Sequence, residues 1–142
     1  STIPFNSRTP YIIGIVNITP DSFSDGNKYL LKDKALRHIE SLINDGADII
    51  DIGAESSRPG ATPTTPEVEW SRLKAIVCEY KQHFDTPLSI DTRHSSTANE
   101  CLLHGASIIN RQSTKLLSLE AHFLSRTFLM IAPCYRLIYG IT

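Results

Sequence analysis

Amide and carboxylate side chains stand where four apolar stretches of the chain end. The stretches are YIIGIVN, ADIIDIG, PLSIDT and ASIIN, and the polar residues at or beside their ends are Asn17, Asp51, Glu55, Asp91, Thr92 and Asn110. Any one of them alone is better explained as a turn former or a helix cap. If the four stretches are parallel strands, their carboxyl ends meet at one edge of the sheet, where α/β proteins bind ligands. The pattern therefore predicts one polar mouth that holds a ligand.

The segment SSRPG, residues 56–60, places two hydroxyl groups beside an arginine in a turn held by proline and glycine. Arg58 can give a phosphate-like anion a two-pronged contact. An ordinary exposed turn with a solvated arginine explains the segment equally well. The sequence contains neither a Walker loop nor a G-x-G-x-x-G motif, so it carries no nucleotide-binding fingerprint.

Other residue types that often do chemistry are better explained structurally. The five histidines fall on predicted helices or their ends without metal-ligand spacing, and we expect them at the surface: His38, His83, His94, His104 and His122. The single Trp70 is expected to pack rather than to stack on a ligand. Three widely spaced cysteines predict neither a disulfide framework nor a zinc site, and they suggest a reducing cytoplasm.

The elements that would position these residues alternate between strands and helices. Strands are predicted over residues 11–17, 47–53, 87–92 and 106–110. Helical spacing predicts a first helix over KDKALRHIESLIND, ending near Gly46, and a second that begins at Pro66 with Thr65 as its cap. A short third helix is predicted over residues 95–104, ending at Gly105.

Continuous apolar strands that alternate with helices are typical of a parallel sheet covered by helices, so the sequence predicts an α/β fold. A doubly wound sheet and a (β/α)8 barrel both satisfy this order. After Asn110 the pattern weakens: residues 111–126 are compatible with a fourth helix and residues 127–132 with a fifth strand. The remaining segment has no assignable pattern.

Composition narrows the class of protein. The chain has 142 residues, is 41% hydrophobic and 20% charged, and carries a formal net charge of -1. These values predict a single globular domain and give no reason to expect nucleic acid or an anionic membrane as a partner. No apolar run approaches the roughly 18 residues of a membrane span, and the N-terminal residues lack the apolar core of a signal peptide.

Four segments of the chain resemble the dihydropteroate synthase family, the folate-pathway enzymes that sulfonamides target. The segments are GIVNITPDSFSDG, ADIIDIGAESSRPGA, LSIDT and GASIIN, in the family's order and spacing. The resemblance is strong over residues 11–110 and weak beyond. It implies a TIM barrel of eight βα units. Residues 1–142 would form one partial domain, which contains about the first half of the barrel, up to five strands. From residue 111 the tail is divergent.

The resemblance also implies a reaction and a set of ligands. The family joins 6-hydroxymethyl-7,8-dihydropterin pyrophosphate to p-aminobenzoate and releases pyrophosphate. Asn17 is implied as the ligand of a Mg²⁺ cofactor, and Asp91 and Asn110 as partners of the pterin ring. Ser57 and Arg58 are implied to contact the pyrophosphate. No nucleic acid or membrane partner is implied.

Two mobile loops of the family are implied to close over the aminobenzoate, and three residues here match positions in them: Asp21, Phe23 and Pro59. Asp21 and Arg58 are implied to be catalytic. The implied mechanism is dissociative: pyrophosphate departs, the pterin methylene becomes cationic, and the aniline nitrogen attacks it without a general base. Closed loops would keep water from capturing the cation.

The second half of the family's site has no counterpart in this sequence, and this includes a further aspartate, a lysine and an Arg-x-His pair. We therefore expect a fragment, a truncated product or half of an assembly, with little turnover by itself. The family is usually a homodimer, through helices of that second half. Two alternatives stay open: a non-catalytic pterin-binding module, and a pterin-dependent methyltransferase, which the DSFSDG and SSRPG loops disfavour.

Overall fold

The structure, a computed structural model, describes residues 11–18, 28–55, 59–110, 128–129 and 137–138. Its elements in chain order are β1 (Ile13–Asn17), α1 (Lys28–Asn44), β2 (Ile49–Gly53), α2 (Pro66–His83), β3 (Leu88–Asp91), α3 (Ser95–Leu103), β4 (Ile108–Asn110), β5 (Phe128–Leu129) and β6 (Leu137–Ile138). The four predicted strands and three predicted helices are confirmed. The first helix begins four residues earlier than the sequence predicted.

The described strands form one sheet in the order β5-β4-β3-β2-β1-β6, and every neighbouring pair is parallel. A doubly wound sheet reverses its strand order at a switch point. Here β1 to β5 follow one another in a single direction, as they do in a (β/α) barrel. The α/β class and the barrel-type units are therefore confirmed. β5 lies within the predicted fifth strand, whereas β6 was not predicted, and the predicted helix over 111–126 lies outside the described residues.

Helix α2 shows how local sequence sets an element boundary. Thr65 is its N-cap, and the Thr65 side chain accepts a hydrogen bond from the backbone N–H of Val68 at 3.3 Å. Pro66 occupies the first helical position, where its missing N–H has no cost. Gly46 and Gly105 follow α1 and α3 with φ values of 105° and 113°, the left-handed region in which glycine commonly ends a helix.

One face of the sheet packs against the helices. Residues in register across β1 to β4 on this face are all apolar and buried: Val16, Ile52, Ile90 and Ile109. The same core contains the buried face of α2, formed by Leu73, Ile76, Val77 and Tyr80. Trp70 packs against this core, as predicted. The helices thus hold the strands in a fixed register, and this register positions the opposite face.

Side chains of successive strand residues point to opposite faces, so the residues next to the apolar row form the other surface. None of the helices in the described part of the chain is long and apolar enough to cross a membrane. The two described cysteines, Cys78 and Cys101, are free, and Cys101 is buried in the core.

Candidate functional site

Three of the predicted site residues lie in one row at the carboxyl ends of the strands. Asn17 pairs in register with Gly53, Gly53 with Asp91, and Asp91 with Asn110. Because register partners in a parallel sheet share a face, the side chains of Asn17, Asp91 and Asn110 emerge on the side opposite the helices. This row, Asn17, Gly53, Asp91 and Asn110, is called the polar row below.

Gly53 leaves a gap in the middle of the polar row. A Cβ atom at Gly53 would lie 3.9 Å from Oδ1 of Asn17 and 3.7 Å from Oδ2 of Asp91. The two oxygens therefore flank the same small space, which stays open only because residue 53 has no side chain. An amide oxygen and a carboxylate oxygen that face one opening can hold a polar ligand between them.

Asp51 lies one row deeper on the same face, in register with Ser89 of β3. Asp51 is only 7% exposed, and its Oδ2 accepts a hydrogen bond from Nδ2 of Asn110 at 3.3 Å. Burial raises the pKa of the Asp51 carboxyl group, and hydrogen bonds from Ser89 and Asn110 partly offset this rise. The sequence analysis placed Asp51 at the end of a strand, but in the structure its buried side chain lies directly beneath the polar row.

Asp91 is the titratable group of the polar row. Burial, followed by the nearby carboxylates of Asp51, Glu69 and Glu55, raises the pKa of Asp91 to about 6. Each of these effects disfavours the charged form of the side chain. Asp91 can thus accept hydrogen bonds when ionised and donate one when protonated, within a narrow range of pH near neutrality.

Glu69 of α2 is a buried acid that the sequence analysis did not single out. It is 0% exposed, and its Oε1 accepts a hydrogen bond from the hydroxyl of Thr92, the residue after Asp91. Its Oε2 lies 3.9 Å from Nε2 of His94. Helical spacing could have found it, because Glu69 stands four residues before Leu73 and therefore lies on the buried face of α2.

His94 corrects one expectation. Its side chain is 20% exposed rather than on the open surface, and Nε2 lies 2.9 Å from the backbone oxygen of Thr64. Glu55, Glu69 and His94 each bring one possible metal-ligand atom within 4.8 Å of the others. However, Oε1 of Glu55 already accepts from Arg93 at 2.8 Å and from the backbone N–H of Thr64 at 3.3 Å. We interpret this cluster as a structural contact that links the segments after β2 and β3 to α2.

The remaining predicted site residues are those of the loops. Asp21, Phe23, Ser57 and Arg58 lie outside the described residues. Pro59 is exposed and precedes Gly60, whose φ of 82° marks a tight turn. The structure therefore brings together Asn17, Asp91 and Asn110, and it locates Pro59 in a surface turn beyond β2.

Parallel strands in sequential order, helices on one face and polar side chains at the carboxyl ends define a (β/α)-barrel type of ligand-binding protein. The model of the family described as pterin binding enzyme matches residues 13–128, and the chain belongs to this family. It is 46% identical over 110 residues to a dihydropteroate synthase of Bacillus subtilis, a match that covers 78% of this chain and 38% of that protein.

Two solved structures agree with this assignment. The dihydropteroate synthase of Clostridium difficile, determined in the presence of pteroic acid, is similar with a TM-score of 0.70 and 41% identity, over 73% of this chain and 40% of that one. The enzyme of Anaplasma phagocytophilum, with bound 6-hydroxymethylpterin-monophosphate, has a TM-score of 0.63 and 48% identity, over 72% and 40%. The chain thus spans about two fifths of the length of these relatives.

Proposed function

We propose that this chain is the N-terminal part of a dihydropteroate synthase, which condenses 6-hydroxymethyl-7,8-dihydropterin pyrophosphate with p-aminobenzoate. The observation that carries the proposal is the polar row, with its gap at Gly53 and the buried Asp51 beneath Asn110. Names of similar proteins, and the pteroic acid and pterin monophosphate in their structures, support the same ligand class.

Asp91 and Asn110 are proposed to bind the pterin ring. The pyrimidine part of a pterin offers N–H donors and a carbonyl acceptor, and a carboxylate beside an amide offers the complementary atoms. Both side chains stand on strands whose register is fixed by the core, so they are held in position before the ligand arrives. Burial of the ring against this face would strengthen these hydrogen bonds.

The residues present fit a magnesium ion. Oδ1 of Asn17 borders the open space at Gly53, and an amide oxygen is a hard donor of the kind that Mg²⁺ accepts. When bound, Mg²⁺ would stabilise the negative charge of the departing pyrophosphate. In this proposal Asn17 holds the ion at the strand end, while Ser57 and Arg58 contact the pyrophosphate oxygens directly.

The loops after β1 and β2 are proposed to complete the site. Phe23 and Pro59 would form the two walls of the aminobenzoate slot, and Asp21 and Arg58 would act in catalysis. Pro59 lies in an exposed turn, and in this proposal its loop would close over the end of the sheet. Closure would exclude water while the aniline nitrogen attacks the pterin methylene. The two described cysteines, Cys78 and Cys101, are free, which supports a reaction in a reducing cytoplasm.

We expect this chain to bind the pterin substrate without catalysing turnover, because it spans only about two fifths of the length of its relatives. We expect calorimetry with the pterin pyrophosphate and Mg²⁺ to detect saturable binding, and a coupled assay with p-aminobenzoate to detect little or no dihydropteroate. Absence of both heat and thermal stabilisation would contradict the proposal. Robust turnover would show that these 142 residues suffice for catalysis.

A matched pair of variants makes the binding test specific. Asp91→Asn removes the carboxylate that faces the ligand, and we expect about ten-fold weaker binding or more. Asp48→Asn removes the same charge from an exposed position just before β2, at the opposite end of the sheet. The control should bind like the wild type. Equal losses in both variants would indicate a general effect of charge rather than recognition by Asp91.

A further inference from the structure

Asp51 is a buried carboxylate that the proposed chemistry does not use. Its side chain lies on the same face of β2 as the polar row, one row below Gly53. The row that contains Asp51 has the bulky residues Ile15 and Ile108 at its two ends. Ser89, its register partner on β3, hydrogen-bonds to the carboxylate, and Asn110 on β4 donates to Oδ2 at 3.3 Å. One carboxylate therefore links three neighbouring strands directly beneath the polar row.

The hydrogen bond between Asn110 and Asp51 has a fixed direction. While Asp51 is ionised, its carboxylate only accepts hydrogen bonds, so Asn110 turns its Nδ2 toward Asp51, as the structure has it. The carbonyl oxygen of the Asn110 side chain is then available to a ligand at the carboxyl ends of the strands. Oδ1 of Asp51 is buried and has no hydrogen-bond partner among the residues that the structure describes. The bond that Asn110 donates to Oδ2 therefore matters more for keeping this carboxylate in place.

We propose that Asp51 is a positioning residue, which fixes the amide of Asn110 so that its carbonyl oxygen faces a hydrogen-bond donor of the bound heterocycle. The inference rests on the proposed function, because it takes a pterin as the ligand. A freely rotating asparagine offers a ligand either a donor or an acceptor. An asparagine anchored through Nδ2 offers an acceptor, and the site then prefers rings that carry an N–H at this point.

The proposal can be tested by exchanging the two side chains. In Asp51→Asn the neutral amide holds Asn110 in either of two orientations, and we expect roughly five-fold weaker binding of the pterin pyrophosphate at mildly alkaline pH. In Asn110→Asp two carboxylates face each other, and we expect a loss of about ten-fold or more. In the double variant, the new amide at position 51 donates to the new carboxylate, whose second oxygen again faces the ligand.

The double variant is therefore expected to recover affinity to within about three-fold of the wild type, a coupling that a purely structural role would not produce. If the losses of the two single variants add in the double variant, the positioning role is overturned. The same holds if Asp51→Asn binds like the wild type. Asp48→Asn serves as the charge-matched control, and denaturant unfolding of every variant verifies that it is folded.

A second measurement needs no ligand. The Nδ2 protons of Asn110 are expected to be protected from solvent exchange in the wild type and to lose this protection in Asp51→Asn, as read by NMR of the side-chain amide. Pterin binding with an unprotected Asn110 amide would overturn the role of Asp51 and leave the proposed function standing. A protected amide without pterin binding would overturn the proposed function, and with it the role proposed for Asp51.

Discussion

The two faces of this sheet are built from adjacent residues of the same strands, yet they serve different ends. On the helix side, Val16, Ile52, Ile90 and Ile109 form a buried apolar row. One residue further along each strand, the other face carries Asn17, Gly53, Asp91 and Asn110. The apolar row gains stability from burial, while the polar row holds groups whose burial is unfavourable.

The contrast is sharpest at Asp91 and its neighbour Ile90. Ile90 is fully buried in the core. Asp91 sits among three other carboxylates, and burial and these charges raise its pKa to about 6. Such an arrangement has no benefit for folding, and strongly shifted titratable groups collect at functional sites. Substitutions on the two faces should therefore have separable effects on stability and on ligand binding.

The largest expected effect on stability comes from the helix side. Ile90→Ala should lower the free energy of unfolding by about 3 kcal/mol, since it removes buried methyl groups and leaves a cavity. Leu103→Ala is the control, because Leu103 is 80% exposed and should change stability by less than about 0.5 kcal/mol. Urea denaturation measures both. Similar values for the two variants would show that Ile90 is not part of a packed core.

The next effect is a pH dependence of stability on the side of the polar row. The pKa of Asp91 is raised from 3.8 to about 6 in the folded state, so this group favours folding most when both states are protonated, below pH 3.8. Its contribution is lost as the pH rises toward 6; the full shift corresponds to roughly 3 kcal/mol, and partial exposure of the group to solvent reduces this to roughly 2 kcal/mol. Asp91→Asn should lack this loss and be relatively more stable at pH 7. Parallel stability curves for wild type and variant between pH 4 and pH 7 would refute the shift.

The smallest effects on stability are expected for two glycine variants, which compare the two faces of the sheet directly. A Cβ at Gly14, on the helix side, would meet Cδ1 of Ile50 at 3.0 Å and Cβ of Leu42 at 3.1 Å. Gly14→Ala should therefore cost about 1 to 2 kcal/mol through overpacking, with little effect on ligand affinity. Gly53→Ala should cost less than about 1 kcal/mol, because its Cβ would find ordinary contacts, the nearest at 3.6 Å.

Ligand binding should reverse this order of the two glycine variants. The added methyl group at position 53 would fill the space between Asn17 and Asp91, so pterin binding should weaken in Gly53→Ala and not in Gly14→Ala. Calorimetry on both variants checks this, alongside their denaturation curves. If Gly14→Ala weakened binding more than Gly53→Ala, the assignment of the two faces would be wrong.

Much of this arrangement could be predicted from the sequence. Continuous apolar strands imply a parallel sheet, and a parallel sheet places all carboxyl ends at one edge, so Asn17, Asp91 and Asn110 could be grouped without coordinates. The Thr65-Pro66 pair fixed the start of α2 because capping is a local interaction. These predictions succeeded because strand periodicity and helix capping depend on residues that are close together in the chain.

The depth of a polar residue was harder to predict. Asp51 interrupts an apolar run, and only its register with Ser89 and the hydrogen bond from Asn110 show that it lies beneath the polar row. Helical spacing alone places Glu69 on the buried face of α2, but its partners Thr92 and His94 lie more than 20 residues away along the chain. The two-residue strand β6 has no local pattern, since its pairing with β1 alone defines it. Each of these features depends on distant parts of the chain.

Chemical-shift mapping tests the central claim most directly, because it reads both faces of the sheet in one experiment. Addition of the pterin pyrophosphate to ¹⁵N-labelled chain should shift the backbone amides of Gly53, Asp91 and Asn110 in a saturable manner. The amides of Ala35 and Leu73, which lie on helices in the core, should stay in place. Saturable shifts confined to the helices, or no saturable shifts at all, would contradict the assignment of the polar row as a pterin site.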